Sequence, residues 1–157
     1  MTLNKSSPEL PLGCVLRPAC ATDAGAIRKL MSAELLDPTQ LHWSQFWVIE
    51  CNERQVACGQ LRRYPGTQEL GSLVVAKSLR TQGLGKCLAK HLIQQATKPL
   101  YLACAARLVP FYTSLGFVPI SWLALPCSLK LKFGFSKLAT TLLLRHLVFM
   151  QYLSGVE

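Results

Sequence analysis

Arg80-Thr81-Gln82-Gly83-Leu84-Gly85-Lys86 decides how this chain is read. Before it runs the apolar stretch Leu70-Gly71-Ser72-Leu73-Val74-Val75, and after it Leu84, Leu88, His91, Leu92 and Gln95 recur at helical spacing. Glycines at a strand-to-helix junction let the backbone approach a ligand and turn several N–H groups the same way. The helix that starts there adds the positive end of its dipole, so the junction suits a phosphate. An ordinary strand-to-helix turn needs much the same residues, and the flanks decide between the two readings.

Outward from the turn, the helix closes near Thr97 at Lys98-Pro99. A short strand, Leu100-Tyr101-Leu102-Ala103-Cys104, follows, and a second helix ends in Phe111-Tyr112-Thr113-Ser114-Leu115-Gly116-Phe117. Upstream, Val15–Ala19 reads as a first strand. Thr22-Asp23 caps a helix that buries Ile27, Leu30, Met31 and Leu35. Asp37-Pro38 breaks that helix, and Leu41-His42-Trp43 leads into a strand over Phe46–Cys51. Asn52-Glu53-Arg54 turns the chain into a third strand, Val56–Arg62, and Tyr64–Thr67 turns it again into a fourth, Gln68–Ala76. Beyond Gly116, Phe117–Trp122 reads as a sixth strand, and Ser128–Lys132 alternates as an edge strand does. Ser136 to Leu153 is apolar at Leu138, Leu142, Leu143, Leu147, Met150 and Leu153, which predicts an extra C-terminal helix packed on the domain or on a partner.

This order of elements, with these two motifs, resembles the GNAT superfamily of acyl-CoA-dependent N-acyltransferases. Arg80, Gly83 and Gly85 match its [RQ]-x-x-G-x-[GA] signature. Phe111, Tyr112, Gly116 and Phe117 match its aromatic-Tyr-x-x-x-Gly-Phe segment. The resemblance spans roughly Val15 to Trp122. Within the superfamily, Glu69–Val75, Leu100–Cys104 and Arg107–Tyr112 look like a bacterial and plastid subgroup distantly similar to the acetyltransferase domain of N-acetylglutamate synthase. The fold implied is α/β (α+β): a mixed, mainly antiparallel sheet of six to seven strands flanked by helices, with the extra C-terminal helix.

The resemblance also implies roles. Arg80, Thr81, Gln82, Gly83, Leu84, Gly85 and Lys86 would hold the pyrophosphate of acetyl-CoA, the implied co-substrate. The backbone of Leu73, Val74 and Val75 would pair with the pantetheine arm as a partial extra strand. Glu69, the only carboxylate between residue 68 and the terminal Glu157, is the candidate general base; a strand-end ion pair with Arg62 or Arg63 is its structural alternative. Tyr112 matches the tyrosine that, in many family members, donates a proton or a hydrogen bond to the departing thiolate, and an aromatic helix anchor is the alternative there. His42 and Trp43 would line the acceptor pocket or pack in the core. Cys104 ends the fifth strand without a motif-level cationic partner, which favours a buried inert thiol over a nucleophile. Ala106 stands near a position where many relatives carry asparagine, which removes one cofactor contact.

At 157 residues the chain fits one domain, and half of those residues are hydrophobic, enough for a sizeable core without staples. Expected boundaries are a loose tail over 1–12, the acetyltransferase domain over 13–135 and the C-terminal helix over 136–157. The seven cysteines contain no C-x-x-C pair and are odd in number, arguing against a disulfide framework and a zinc site and for the cytoplasm. No metal is expected. No apolar run reaches the ~18 uncharged residues of a membrane span.

Charge is placed unevenly. Of the net +9, the interval between Glu69 and Glu157 contributes lysines and arginines and no acid at all. That half attracts polyanions, of which coenzyme A is one. The basic residues lack an aromatic ladder or a nucleic-acid motif, so no nucleic-acid partner is expected. The leading reading is an N-acetyltransferase acting by direct attack on a primary amine, a small molecule such as an amino acid favoured over protein, with a homodimer admitted. The alternatives are a non-catalytic acyl-CoA sensor and a basic protein binding polyanions or, weakly, a membrane surface.

Overall fold

Seven strands form one mixed sheet in the order β1-β2-β3-β4-β5-β7-β6 in the computed structural model, which describes residues 9–36, 40–140 and 147–153. The elements in chain order are β1 (Cys14–Pro18), α1 (Ala24–Ala33), β2 (Phe46–Cys51), β3 (Arg54–Tyr64), β4 (Thr67–Val75) and α2 (Leu84–Gln95). Then come β5 (Leu100–Ala105), α3 (Val109–Thr113), β6 (Phe117–Ile120), α4 (Cys127–Thr140) and β7 (Leu147–Tyr152). β1 and β2, β2 and β3, β5 and β7, and β6 and β7 pair antiparallel. β4 and β5 pair parallel, in a ladder of Gln68↔Leu100 and Glu69↔Tyr101. The chain groups into two compact units, one of Met1–Leu61 with Ser72–Gln95 and one of Arg62–Gly71 with Ala96–Glu157.

The first unit is held by Ile27 and Met31, one turn apart on α1, against Phe46, Val48, Cys58 and Val74. Arg17 ties its edge together: the guanidinium donates to both oxygens of Asp23, at 2.7 and 3.0 Å, and to Glu50 at 2.7 Å. Asp23 also accepts from the Cys20 backbone N–H at 2.8 Å, so the carboxylate closes the entry to α1. Arg17 holds that carboxyl well below the usual carboxylate range.

In the second unit Leu125, Leu129 and Phe133 pack on Tyr101. Their spacing is helical, and the alternation read over Ser128–Lys132 as an edge strand belongs to α4 instead. Leu129 is fully buried whereas Leu131 is 66% exposed, so the two leucines occupy opposite sides of a helix. The C-terminal helix expected over Ser136–Leu153 is also corrected. α4 starts earlier, at Cys127, and Leu147–Tyr152 is a strand. An apolar run does not declare its period. Here Val148, Phe149 and Tyr152 favour the pleat, and β5 and β6 supply ladder partners on both sides, as in Cys104↔Val148 and Ile120↔Phe149. Residues 141–146 and 154–157 of the expected helix, and 1–8 of the expected tail, lie outside the described residues.

The cysteines depart from the expectation of no disulfide. Cys14 and Cys51 are joined by a disulfide. They are register partners at the end of the β1–β2 ladder, with Cα atoms 4.0 Å apart. The Asn52 N–H donates to the Gly13 carbonyl just outside them, the arrangement of a non-hydrogen-bonded pair whose side chains lie closest. Cys20, Cys58, Cys87, Cys104 and Cys127 are free.

Candidate active site

The turn between β4 and α2 is shaped by two residues with positive φ, Thr81 at 69° and Gly83 at 82°. A Cβ built on Gly83 meets nothing within 4 Å, so glycine is required there by conformation and leaves open space beside the turn. The first helical bond of α2 runs from the Cys87 N–H to the Gly83 carbonyl. The N–H groups of Leu84, Gly85 and Lys86 precede it and have no intrahelical acceptor. Buried Leu84, Cys87, Leu88 and Leu92 seat α2, while Lys86 and Lys90 remain exposed. A groove of about 270 Å³ opens here, lined by Gln82, Gly83, Leu84, Lys86, Cys87 and Lys90 and, from the N-terminal segment, by Glu9, Leu10 and Pro11. Open space, orphan donors, a helix N-terminus and two lysines together are features that suit an anion.

Arg80 serves the turn itself. Its Nε donates to the Val75 carbonyl at 3.1 Å, and its Nη2 pairs with Glu34. The Thr81 hydroxyl is turned back on the Arg80 carbonyl. Of the β4 residues assigned to the pantetheine arm, Val74 is buried in the first unit's core, and Leu73 and Val75 are half-buried. The ladder with β5 ends at Glu69, before a kink at Ser72, whose φ is 51°.

Glu69 is 3% exposed and surrounded. Oε1 accepts from Arg62 at 3.0 Å, and Oε2 accepts from the Tyr64 hydroxyl at 3.1 Å and from Lys132. Gly71 makes room for this: a Cβ there would collide with the Arg62 guanidinium. Lys132 also sits 4.9 Å from the centre of the Phe133 ring. Arg62 was legible as a partner from its place across the turn from Glu69. Lys132 was not, because the sequence reading put it in a strand.

Tyr112 is 7% exposed, with its ring edge-on to Phe111 and Phe117 at 5.0 and 5.9 Å. Burial, with Cys104 adding to it, pushes the phenol well above its ordinary value, so it keeps its proton throughout the neutral range. Cys104 is itself buried, its thiol pushed up to about 11 and its Sγ 3.8 Å from the Met150 sulfur, the condition of an inert thiol. The two catalytic candidates, Glu69 and Tyr112, therefore stand in different side-chain clusters, one ionic and one aromatic.

His42 and Trp43 are exposed on the segment before β2. Fully buried Gln60 on β3 anchors that segment, donating to the Gln40 carbonyl at 2.9 Å and to Gln45 Oε1 at 3.1 Å. Sequence reasoning missed Gln60, one of two amides on β3. Among the described residues, no group of three or more His, Cys, Asp or Glu could hold a metal ion, and no helix is long and apolar enough to cross a membrane.

The acetyltransferase (GNAT) domain model matches residues 42–119, from the segment before β2 into β6. That match marks residues 42–119, which hold the glycine turn, as an acetyltransferase (GNAT) domain. Solved structures agree on the fold. N-acetylglutamate synthase from Neisseria gonorrhoeae, in complex with coenzyme A and L-arginine, superposes with a TM-score of 0.72 at 19% identity, over 88% of this chain and 32% of that one. This chain thus spans about a third of the synthase. Rv2747 from Mycobacterium tuberculosis, in complex with CoA, gives 0.74 at 17% identity over 90% and 99% of the two chains. An acyl-CoA N-acyltransferase from Pseudomonas aeruginosa gives 0.63 at 18% over 89% and 98%. No curated protein matches the sequence.

Proposed function

We propose that the chain transfers an acetyl group from acetyl-CoA to a primary amine by direct attack of the amine on the thioester carbonyl. The observation that carries this is the open turn at the head of α2, with its orphan N–H groups and two lysines. Likeness to enzymes solved with CoA supports the choice of anion. In this reading Thr81–Lys86 hold the pyrophosphate mainly by backbone N–H, with Arg80 fixing the turn. Leu73–Val75 pair with the pantetheine arm. Tyr112 donates a hydrogen bond to the departing thiolate, since a phenol held well above its ordinary value by burial keeps its proton beside so weak a base. A small amine such as an amino acid is favoured, and His42 and Trp43 are the proposed acceptor contacts.

Glu69 is the candidate base, and its surroundings favour the structural role. Both of its oxygens already accept from Arg62, Tyr64 and Lys132, so an amine proton would have to displace one of those partners to reach it. That engagement gives weight to the second reading, an acyl-CoA-binding sensor. A thiol-release assay with acetyl-CoA against amino acids, polyamines, aminoglycosides and peptide N-termini separates the two: turnover with any amine supports the transferase, and binding without turnover supports the sensor. The compartment proposed is the cytoplasm, where five free cysteines stay reduced and the Cys14–Cys51 pair meets the thiol pool.

A further inference from the structure

The groove at the head of α2 carries one acidic side chain, Glu9, among Lys86 and Lys90. Glu9, Leu10 and Pro11 reach it from the start of β1, where the Pro11 carbonyl accepts from the Cys14 N–H at 3.1 Å. Cys14 is the residue bonded to Cys51. Three residues of chain span at most about 10 Å, so the position of Cys14 bounds that of Pro11. Both bridged cysteines are half-buried, within reach of a small reductant, whereas Cys58, Cys87 and Cys104 are buried and Cys20 and Cys127 are exposed and unbridged.

We propose that the Cys14–Cys51 disulfide is a redox-sensitive clasp that holds Glu9–Pro11 at the cofactor groove, and that opening it raises affinity for coenzyme A. The inference rests on the reading of Arg80–Lys86 as the pyrophosphate site. While closed, the clasp keeps Glu9 in the lining of the groove that also holds Lys86 and Lys90, where its negative charge repels a phosphate. A dithiol opens the clasp by exchange. The Cys14–Cys51 S–S bond breaks, the reductant's own S–S bond forms, and two electrons and two protons pass to the cysteine sulfurs. The first residue of β1 is then held by ladder bonds alone, including Asn52 N–H to the Gly13 carbonyl at 3.0 Å, and a strand end held that way frays. The groove then loses its one carboxylate and keeps both lysines.

The test uses desulfo-CoA, which has no thiol to reduce the protein. Its affinity is measured by calorimetry on the air-oxidised chain, on the chain in excess dithiothreitol, and on the Cys14→Ser/Cys51→Ser double variant. Reduction and the double variant should each tighten binding roughly two- to fivefold, the range that one exposed charge–charge interaction is worth. Glu9→Gln should tighten the oxidised form alone. Hydrogen exchange over residues 9–14 should quicken on reduction while α2 stays protected. Equal affinities in the oxidised and reduced chains, or free Cys14 and Cys51 thiols in the air-oxidised protein, would overturn the clasp and leave the cofactor site standing. No binding in either state would overturn both.

Discussion

At the head of α2, backbone donors face open space and two lysines stand exposed around them, whereas both carboxylate oxygens of Glu69 are taken up by Arg62, Tyr64 and Lys132. Both regions concentrate polar groups, and they do so to opposite ends. Around Glu69 the charges are buried and satisfy one another, which is how a folded chain tolerates ions out of water. At the turn the groups are left for something else, and the positive φ of Gly83 keeps side chains out of the way. A perturbed or concentrated set of charges is therefore not in itself a mark of chemistry; what distinguishes the turn is that its donors are still available.

That contrast breaks most visibly at Glu69. Glu69→Ala strands two cations in the interior and should cost about 3–5 kcal/mol of stability in denaturant unfolding. Glu69→Gln, which keeps the shape, should cost less. If Glu69→Gln abolished turnover with unfolding unchanged, the cluster would be catalytic and the comparison would fail. Next in size is Tyr112→Phe, which keeps the ring contacts with Phe111 and Phe117 and removes the proton. Turnover should fall on the order of 10²-fold with cofactor affinity unchanged. Full activity would return Tyr112 to a packing role.

The smallest effect sharpens the contrast by testing a second ion pair with no proposed part in chemistry. Asp23 is held below its unfolded value first by Arg17 and then by the Cys20 N–H. A depressed folded pKa means stability that is present above the unfolded value of about 3.9 and is lost as pH falls below it. Partial exposure of Arg17 limits the amount to about 1 kcal/mol. Acid unfolding should therefore be less steep in Asp23→Asn than in the parent between about pH 5 and pH 2, with cofactor affinity at neutral pH the same in both. An identical acid limb in the two would remove Asp23 from the account of stability.

Features decided by local chemistry were legible in the sequence. Gly83 and Gly85 before the Leu84–Leu92 stripe announced the turn, and Phe111-Tyr112 with Gly116-Phe117 announced the return from α3 to β6. Features decided by partners far along the chain were not. Leu147–Tyr152 becomes a strand because β5 and β6 leave it a place, and Lys132 reaches Glu69 because α4 carries it there. The Cys14–Cys51 bridge depends on the register of β1 on β2, which an odd cysteine count hid. The role left to Glu69 follows from Lys132, so the error in one element carried into the site.

The central claim, that the turn is an acyl-CoA site, is tested most directly by the melting temperature with and without acetyl-CoA, in the wild type and in Gly83→Asp. The wild type should gain about 2.7 kcal/mol at a hundredfold excess over the dissociation constant, with a clear rise in melting temperature. The folded Gly83→Asp variant, with a carboxylate in the open space beside the turn, should show little or none of that rise. An unchanged melting temperature for the wild type at millimolar acetyl-CoA, or equal rises in the two proteins, would contradict it.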